Sequence, residues 1–553
     1  FLTSMDSLKP MLLTSLKSYD KSQFFKDVTA GIIVAIIALP LSIALALASG
    51  VGPEAGIFTA IVAGFVISAL GGSSVQIAGP TAAFATIVAG IVAKNGMDGL
   101  IISTILAGIF LLIMGLCHFG SLIKFIPYTI TTGFTSGIAV TIVIGQLKDF
   151  FGITYQNGET PIETIEKLEA VFKNFSTFNI NALIIGIISL AILIISPYIF
   201  KKIPGSLIAV IAGIVMVKFL PLKANTIGDL YTISNSLPAF HLPKVNLEII
   251  EQSASDAFTI AILAAIESLL SCVVADGMIN GKHRSDMELV AQGAGNIASA
   301  LFGGIPATGA IARTAANIKN GGRTPIAGMV HSITLVIVLV VLMPYAGLIP
   351  MPTIAAILFM VAYNMCQWRT FVDLVKTAPK SDIIVLLTTF FLTVLFDLVV
   401  AIEIGMVLAC LLFIKRMSEE THVDSWTYVD DDTPDINENL KKLPLQIRVY
   451  EITGPLFFGA ADAIEHIVVK DFTKCLVIRM RSVPALDTTA MNALKNLAKV
   501  CQAKGIAMVF SHVNEQPMHV MEKAGFVEII GEENFRPNIS AALERAEEII
   551  TVS

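Results

Sequence analysis

The sequence predicts a polytopic α-helical membrane protein with a small α/β domain at its carboxyl end, and three observations predict it. Of 553 residues 55% are hydrophobic and 14% charged, with a mean hydropathy of +0.77, whereas soluble chains carry about 25% charged residues. Apolar runs long enough to span a bilayer recur from about Val28 to Arg416 and then stop. Beyond Arg416, strand-like and helix-like segments alternate at the spacing of a compact α/β unit. The expected organisation is a cytoplasmic segment 1–27, a transmembrane domain 28–416, a linker 417–442 and an α/β domain 443–553.

Residues 1–26 are polar and mixed and do not read as a cleavable signal peptide. Lys9, Lys17, Lys21 and Lys26 mark a cytoplasmic start. Fourteen apolar segments follow, at about 28–49, 55–71, 80–93, 98–118, 124–148, 179–200, 204–220, 256–276, 287–302, 309–320, 324–343, 350–366, 381–397 and 398–415. Some are too short to cross a full bilayer as unbroken helices. Basic residues such as Lys124, Lys201, Lys202, Lys282, Arg284 and Lys380 fall on one set of loops. The opposite set is richer in acid, notably Gln156–Lys173 with Glu159, Glu163, Glu166 and Glu169. An even number of spans with both termini cytoplasmic follows.

The two halves echo each other. Ser68-Ala69-Leu70-Gly71-Gly72 returns as Ser299-Ala300-Leu301-Phe302-Gly303-Gly304. Each Gly-Gly is followed by a short helix opening on glycine and small residues, at Gly79-Pro80-Thr81-Ala82 and at Gly309-Ala310-Ile311-Ala312. Pro40 and Glu267, and Gly50 and Gly277, occupy corresponding positions upstream. With seven spans per half the copies have opposite orientation, an inverted repeat in which two half-helices meet N-terminus to N-terminus near the midplane and bracket a site for a negative group.

Two intramembrane charges sharpen that site. Arg313 lies within Gly303–Arg323, and an arginine at bilayer depth costs at least about 2.5–3.5 kcal/mol, so it should face a protein-lined cavity where an anion compensates it. Gly303, Gly304 and Pro306 break the backbone ahead of Ala307-Thr308-Gly309-Ala310, where a short helix should begin with unpaired N–H groups and a positive dipole end. Glu267 sits in an apolar run with Ser271 one turn on and on the same face. Desolvation and a nearby cation pull the proton affinity of a buried carboxylate in opposite directions, so Glu267 can titrate near neutral pH and is the candidate proton-coupling residue, with Ser271 beside it. A fixed Glu267–Arg313 ion pair that only holds two helices together is the structural alternative, as is an Arg313 that snorkels to an interface. Pro80 at a first helical turn loses no needed hydrogen bond, and Thr81 offers a hydroxyl. Pro40 inside the first span should kink that helix toward the site.

In the carboxyl-terminal domain, Leu445–Ile452, Cys475–Met480 and Ile506–Phe510 read as strands. Ala460–Val469, Thr489–Ala503, Pro517–Ala524 and Ser540–Ile550 read as helices. The acidic, polar stretch Glu419–Lys442, interrupted by Pro434, reads as a linker. The net charge of −6 and the lack of a basic tract argue against nucleic acid. Six cysteines without a CxxC pair read as core residues in a reducing compartment, and eight scattered histidines offer no metal site. Gly277–Lys282 falls short of a P-loop, no GxSxG or HExxH occurs, and Asp487-Thr488-Thr489 has no evident histidine partner. No enzyme and no cofactor is expected.

The motifs Gly79-Pro80-Thr81, Ile266-Glu267-Ser268-Leu269-Leu270 and Thr308-Gly309-Ala310-Ile311-Ala312-Arg313-Thr314-Ala315-Ala316-Asn317, with the α/β domain after them, resemble the sulfate permease (SulP) family of anion transporters. Through AIESLL, VVADGM, AQGAGNI, AIARTAANI and APKSDIIV the chain is most similar to the bacterial C4-dicarboxylate branch. The resemblance implies a seven-plus-seven repeat divided into a moving core and a gate, an elevator-like motion, a cytoplasmic STAS domain and a homodimer in a bacterial inner membrane. It places the anion at Thr81, Ala82, Ala310, Ile311 and Ala312 with Arg313 beneath. Sodium-coupled bicarbonate members carry Asp where this chain has Glu267, so the resemblance favours a co-transported proton over sodium. It also suggests acyl carrier protein as a partner of the STAS domain, and only weakly phosphorylation at Asp487-Thr488-Thr489-Ala490. The expected function is proton-coupled symport of a small anion, a C4-dicarboxylate or an oxyanion such as sulfate. Sodium-coupled bicarbonate symport and uncoupled exchange or conduction are the alternatives.

Overall fold

In hydrocarbon every backbone N–H and C=O must find a partner within the protein, which forces each apolar run into a helix. The computed structural model of the chain describes residues 7–425 and 443–552 apart from 157, 202, 245, 397, 466 and 468–471. It falls into two compact units, Phe1–Met406 and Val407–Ser553.

The first unit is helical. Its helices are α1 (Lys21–Ala48), α2 (Pro53–Leu70), α3 (Ala82–Leu116), α4 (Tyr128–Phe151), α5 (Thr164–Lys173), α6 (Ile180–Ile199) and α7 (Gly205–Phe219), then α8 (Leu247–Ile279), α9 (Ser285–Leu301), α10 (Ile311–Lys319), α11 (Ile326–Ala346), α12 (Met351–Cys366), α13 (Trp368–Thr377) and α14 (Lys380–Leu395), and the boundary at Met406 falls within α15 (Leu398–Glu419). Every predicted segment falls on one of them, the third and fourth on the two arms of α3, which breaks at Gly96 with φ 69°. Among the described residues eight helical stretches are long and apolar enough to cross a bilayer. Three features depart from the sequence reading. Helices α5 and α13 lie in stretches expected to be loops, because both are amphipathic and carry no apolar run of spanning length. Helix α8 starts nine residues early, at Leu247, where the Asn246 side chain accepts from the Glu248 N–H at 3.4 Å and caps a polar first turn. Helix α1 runs on through Pro40 without a break in helical conformation, so the expected kink is not a break of the helix.

The helices sort into two packed groups. In one, α1, α2, α3, α8, α9, α10 and α11 surround two short strands, β1 (Ala78–Gly79) and β2 (Thr308–Gly309). In the other, α4, α6, α7, α12 and α14 pack on one another.

The second unit holds a five-stranded sheet of β3 (His422–Ser425), β4 (Ile447–Thr453), β5 (Cys475–Ser482), β6 (Ala507–Ser511) and β7 (Phe535–Arg536), in that spatial order. β3 is antiparallel to β4 and the remaining pairs are parallel. Side chains alternate faces along β5: Leu476, Ile478 and Met480 enter the core that also takes Leu494 of the helix Thr488–Ala503 and Met521 of the helix Glu515–Lys523. Cys475 and Val477 enter the opposite core with Ala542, Leu543 and Ala546 of the helix Ile539–Val552. β3 lies inside the stretch expected to be a linker. Its own sequence is polar and mostly exposed, and its strand character comes from the ladder with β4. Residues 426–442 of that stretch lie outside the described residues, as do 466 and 468–469 of the expected helix Ala460–Val469, of which Asp462–Glu465 is helical.

Candidate functional site

Irregular backbone at membrane depth is tolerated only where protein satisfies its polar groups, and here side chains from neighbouring helices do so. On the approach to β2, Thr59 Oγ1 accepts from the Ile305 N–H at 2.8 Å, and Ser299 Oγ donates to the Ile305 carbonyl at 2.8 Å. The Asn296 amide accepts from the Ala307 N–H at 2.8 Å and donates to the Ala307 carbonyl at 2.9 Å. On the approach to β1, Thr314 Oγ1 accepts from the Ile77 N–H at 3.0 Å and Asn317 Nδ2 donates to the Val75 carbonyl at 2.9 Å. The strands then pair antiparallel, Ala78 with Gly309 and Gly79 with Thr308. Because the ladder is antiparallel, α3 and α10 leave it in opposite directions, each with its N-terminus at the ladder. The sequence repeat predicts this arrangement.

The donors at these two starts are free. Thr81 is the N-cap of α3, a position where a hydroxyl normally accepts from the first turn, yet it makes no cap bond there. Its Oγ1 instead donates to Glu267 Oε2 at 3.1 Å. Among the described residues no partner is present for the N–H groups of Ala82 and Ala83 at one start or of Ile311 and Ala312 at the other. Both starts present the positive ends of their helix dipoles. Arg313, only 3% exposed, donates from Nη2 to the Pro80 carbonyl at 3.2 Å, while its buried Nη1 has no partner among the described residues. Among the described residues no carboxylate pairs with this guanidinium, so neither the fixed Glu267–Arg313 pair nor the snorkelling arginine is formed. A buried cationic donor left open costs free energy that an incoming anion would recover.

Thr81 thus holds Glu267 at the start of α3, and Arg313 reaches the Pro80 carbonyl just ahead of it, with Gly79 against the guanidinium. Ala82 is buried at the first turn of α3, Ala310 is half-buried at the N-cap of α10, and Ile311 and Ala312 are exposed on its first turn. Thr308 and Gly309 are buried in β2, where Thr308 Oγ1 donates to the Ala264 carbonyl of α8 at 3.0 Å, one turn before Glu267. Ser271 is buried, its hydroxyl without a partner among the described residues. Pro40 is buried in α1, which packs along α10, and among the described residues no hydrogen bond joins it to the site. Pro80 precedes the N-cap of α3 and so stands outside the first turn where the sequence reading put it, because Gly79 is drawn into the strand.

Sequence reasoning missed the layer behind the site. Glu288, fully buried on α9, accepts from the N–H groups of Gly72 and Ser73 at 3.0 and 3.3 Å, from Gln76 Nε2 at 2.6 Å and from Gln292 Nε2 at 2.9 Å. The spacing of Glu288, Gln292 and Asn296 at i, i+4 and i+8 puts a polar stripe on one face of an otherwise apolar helix, and that signal was available. Close approach also fixes two glycines. A Cβ on Gly79 would lie 2.4 Å from Arg313 Nη1, and one on Gly309 would lie 2.4 Å from the Gln76 amide carbon. Gly79→Ala must therefore displace the guanidinium. We expect this variant to lose at least about tenfold in anion affinity, with about 1–3 kcal/mol of destabilisation at most. Anion binding and thermal unfolding measured on the same purified sample check this, and unchanged affinity would refute it.

Residues 24–389 match the sulfate permease family and residues 441–542 match the STAS domain. The chain is 39% identical over 524 residues to YvdB, a candidate sulfate transporter of Bacillus subtilis (strain 168), covering 94% of this chain and 97% of that one. It is 32% identical over 488 residues to the bicarbonate transporter BicA of Picosynechococcus sp., covering 85% of each. The murine Solute Carrier 26 family member A9 (Slc26a9) anion transporter in its inward-facing state shares the fold at a TM-score of 0.87 and 18% identity, covering 99% of this chain and 95% of that one. With the family matched over most of its length, the chain belongs to the sulfate permease family, as a multi-pass membrane anion transporter with a STAS domain and not an enzyme.

Proposed function

We propose that the protein is a proton-coupled symporter of a small anion, a C4-dicarboxylate or a sulfate-like oxyanion. The observation that carries this reading is the unpartnered Nη1 of buried Arg313 beneath two helix starts whose N–H groups are free, with Glu267 held at one of them by Thr81. The anion sits between Thr81–Ala82 and Ala310–Ala312 and draws its charge compensation from Arg313 and the two dipoles. Glu267 carries the proton, with Ser271 one turn away on the same helix. The two packed groups of helices support a core that slides against a gate, as in an elevator-like cycle. The motifs AIESLL and AIARTAANI support the dicarboxylate choice. The same reading places the chain in a bacterial inner membrane with both termini cytoplasmic, assembles it as a homodimer and offers the STAS domain to acyl carrier protein.

Uptake of succinate, fumarate, malate and sulfate into proteoliposomes, with and without an inward proton gradient, tests it. Uptake of one of them should be accelerated by the gradient, and rates that ignore pH and follow sodium would refute proton coupling. The likeness to the bicarbonate transporter BicA favours one second reading, bicarbonate uptake, which if coupled to sodium predicts that second outcome with bicarbonate as the bound anion.

A further inference from the structure

A cavity of about 190 Å³ opens among the carboxyl-terminal ends of α1 and α4, the first arm of α3 and helix α5. That is far above the roughly 10–15 Å³ one water requires. Ala85 lines it, one helical turn beyond Thr81, so it lies next to the proposed site along α3. Thr86 Oγ1 and Thr141 Oγ1, 3.4 Å apart, join α3 to α4 at its wall. With the amino terminus inside, this is the outer side.

Three further side chains give the cavity its chemistry. Glu163 at the N-cap of α5 and Glu166 and Glu169 within it are exposed, and the helix turns Lys167, half-buried, to the cavity. Lys173 of the same helix pairs with Glu159 at 2.6 Å, but among the described residues Lys167 has no carboxylate partner. Gln146 is 8% exposed, lines the cavity, and its amide has no hydrogen-bond partner among the described residues. Asp149 completes the lining and makes no hydrogen bond or ion pair among the described residues. Among the described residues no ion pair or hydrogen bond joins this cation, this carboxylate and this amide across the void. They leave room for something between them.

We propose that this cavity is an outer docking site for the transported anion, held by Lys167 and the Gln146 amide, with Asp149 as the group that admits or repels it. The inference rests on the anion-transport reading and on the inside amino terminus. When ionised, Asp149 repels an anion arriving at Lys167. When protonated, its hydroxyl donates to that anion. The other charged or titratable groups around it are Lys148 on its own helix, whose ammonium lies 4.5 Å from the Tyr155 ring centroid, and the hydroxyls of Tyr155 and Tyr231. α1 and α3 contribute no charged group to the lining. Docking therefore tightens as external pH falls, before the anion reaches Thr81.

The test is the apparent KM for external succinate and sulfate across an external pH series, in proteoliposomes of uniform orientation, with efflux reporting the inner-side KM. Lys167→Gln should raise the external KM about tenfold, as expected for loss of one charge-assisted hydrogen bond, without moving the inner-side KM. Gln146→Glu should raise it further, and Asp149→Asn should flatten its dependence on pH while proton-driven accumulation persists. If Lys167→Gln does not fold, Gln146→Glu and Asp149→Asn still decide. A wild-type external KM and pH profile in the variants would overturn the docking site. Failure of proton coupling is a separate outcome: accumulation would then ignore the gradient in the parent protein, whatever these variants do to KM.

Discussion

Arg313→Gln should raise the apparent Kd for the anion by about ten- to a hundredfold, the range expected for loss of a charge-assisted hydrogen bond of about 1.5–3 kcal/mol. The guanidinium is buried, gives one donor to the Pro80 carbonyl and keeps Nη1 open. A glutamine can keep a single neutral donor there and supplies no charge. The thermal signature separates this role from a structural one. If Arg313 held helices together, its loss would lower the melting temperature of the anion-free protein. Here the free protein carries an uncompensated buried charge, whose removal relieves a desolvation cost. The anion-free melting temperature should therefore stay level or rise, and the increase produced by saturating anion should disappear. Arg313→Lys should fall between the two, because an ammonium keeps the charge but not the two directed donors of the planar fork. A Gln variant that melts lower yet binds the anion normally would remove Arg313 from the binding site.

Much of this arrangement was legible in the sequence because it rests on local rules. Apolar runs mark helices irrespective of partners, and the Gly-Gly echoes at Gly71-Gly72 and Gly303-Gly304 locate the two breaks. What the echoes do not contain is the distance across the repeat. That Ala78 pairs with Gly309, and that Thr81 turns its hydroxyl to Glu267 in preference to its own helix, are facts about side chains more than a hundred residues apart. The helix starts at Ile311, two residues later than the sequence predicts, for the same reason: Thr308 and Gly309 are held extended by a strand from the other half. The network around Glu288 was partly readable as a stripe at i, i+4 and i+8, but its partners Gly72, Ser73 and Gln76 come from the opposite repeat. In the second unit β4, β5 and β6 declare themselves by β-branched and aliphatic runs, whereas β3 is a strand only because β4 offers it an edge.

Glu267→Gln should abolish accumulation against a gradient while leaving anion exchange in place. Each pH unit across the membrane supplies about 1.4 kcal/mol per proton moved, enough for about tenfold accumulation by a one-proton symporter. That energy reaches the anion only if some group in the site takes the proton on one side and releases it on the other. Glu267 is placed for this, because it accepts a hydrogen bond from Thr81, the N-cap residue of one of the two helix starts, whose hydroxyl leaves the first turn uncapped. The side-chain carbonyl of glutamine can accept the same bond at the same length, so the shape of the site survives and the ability to exchange a proton does not. In proteoliposomes the variant should exchange internal for external anion at rates near the parent, and a pH gradient should add nothing to its net uptake. A Glu267 that only braced α8 against α3 would give a different result, with exchange, accumulation and thermal stability all falling together. A variant that still concentrates its anion in response to a proton gradient would move the coupling away from this carboxylate altogether.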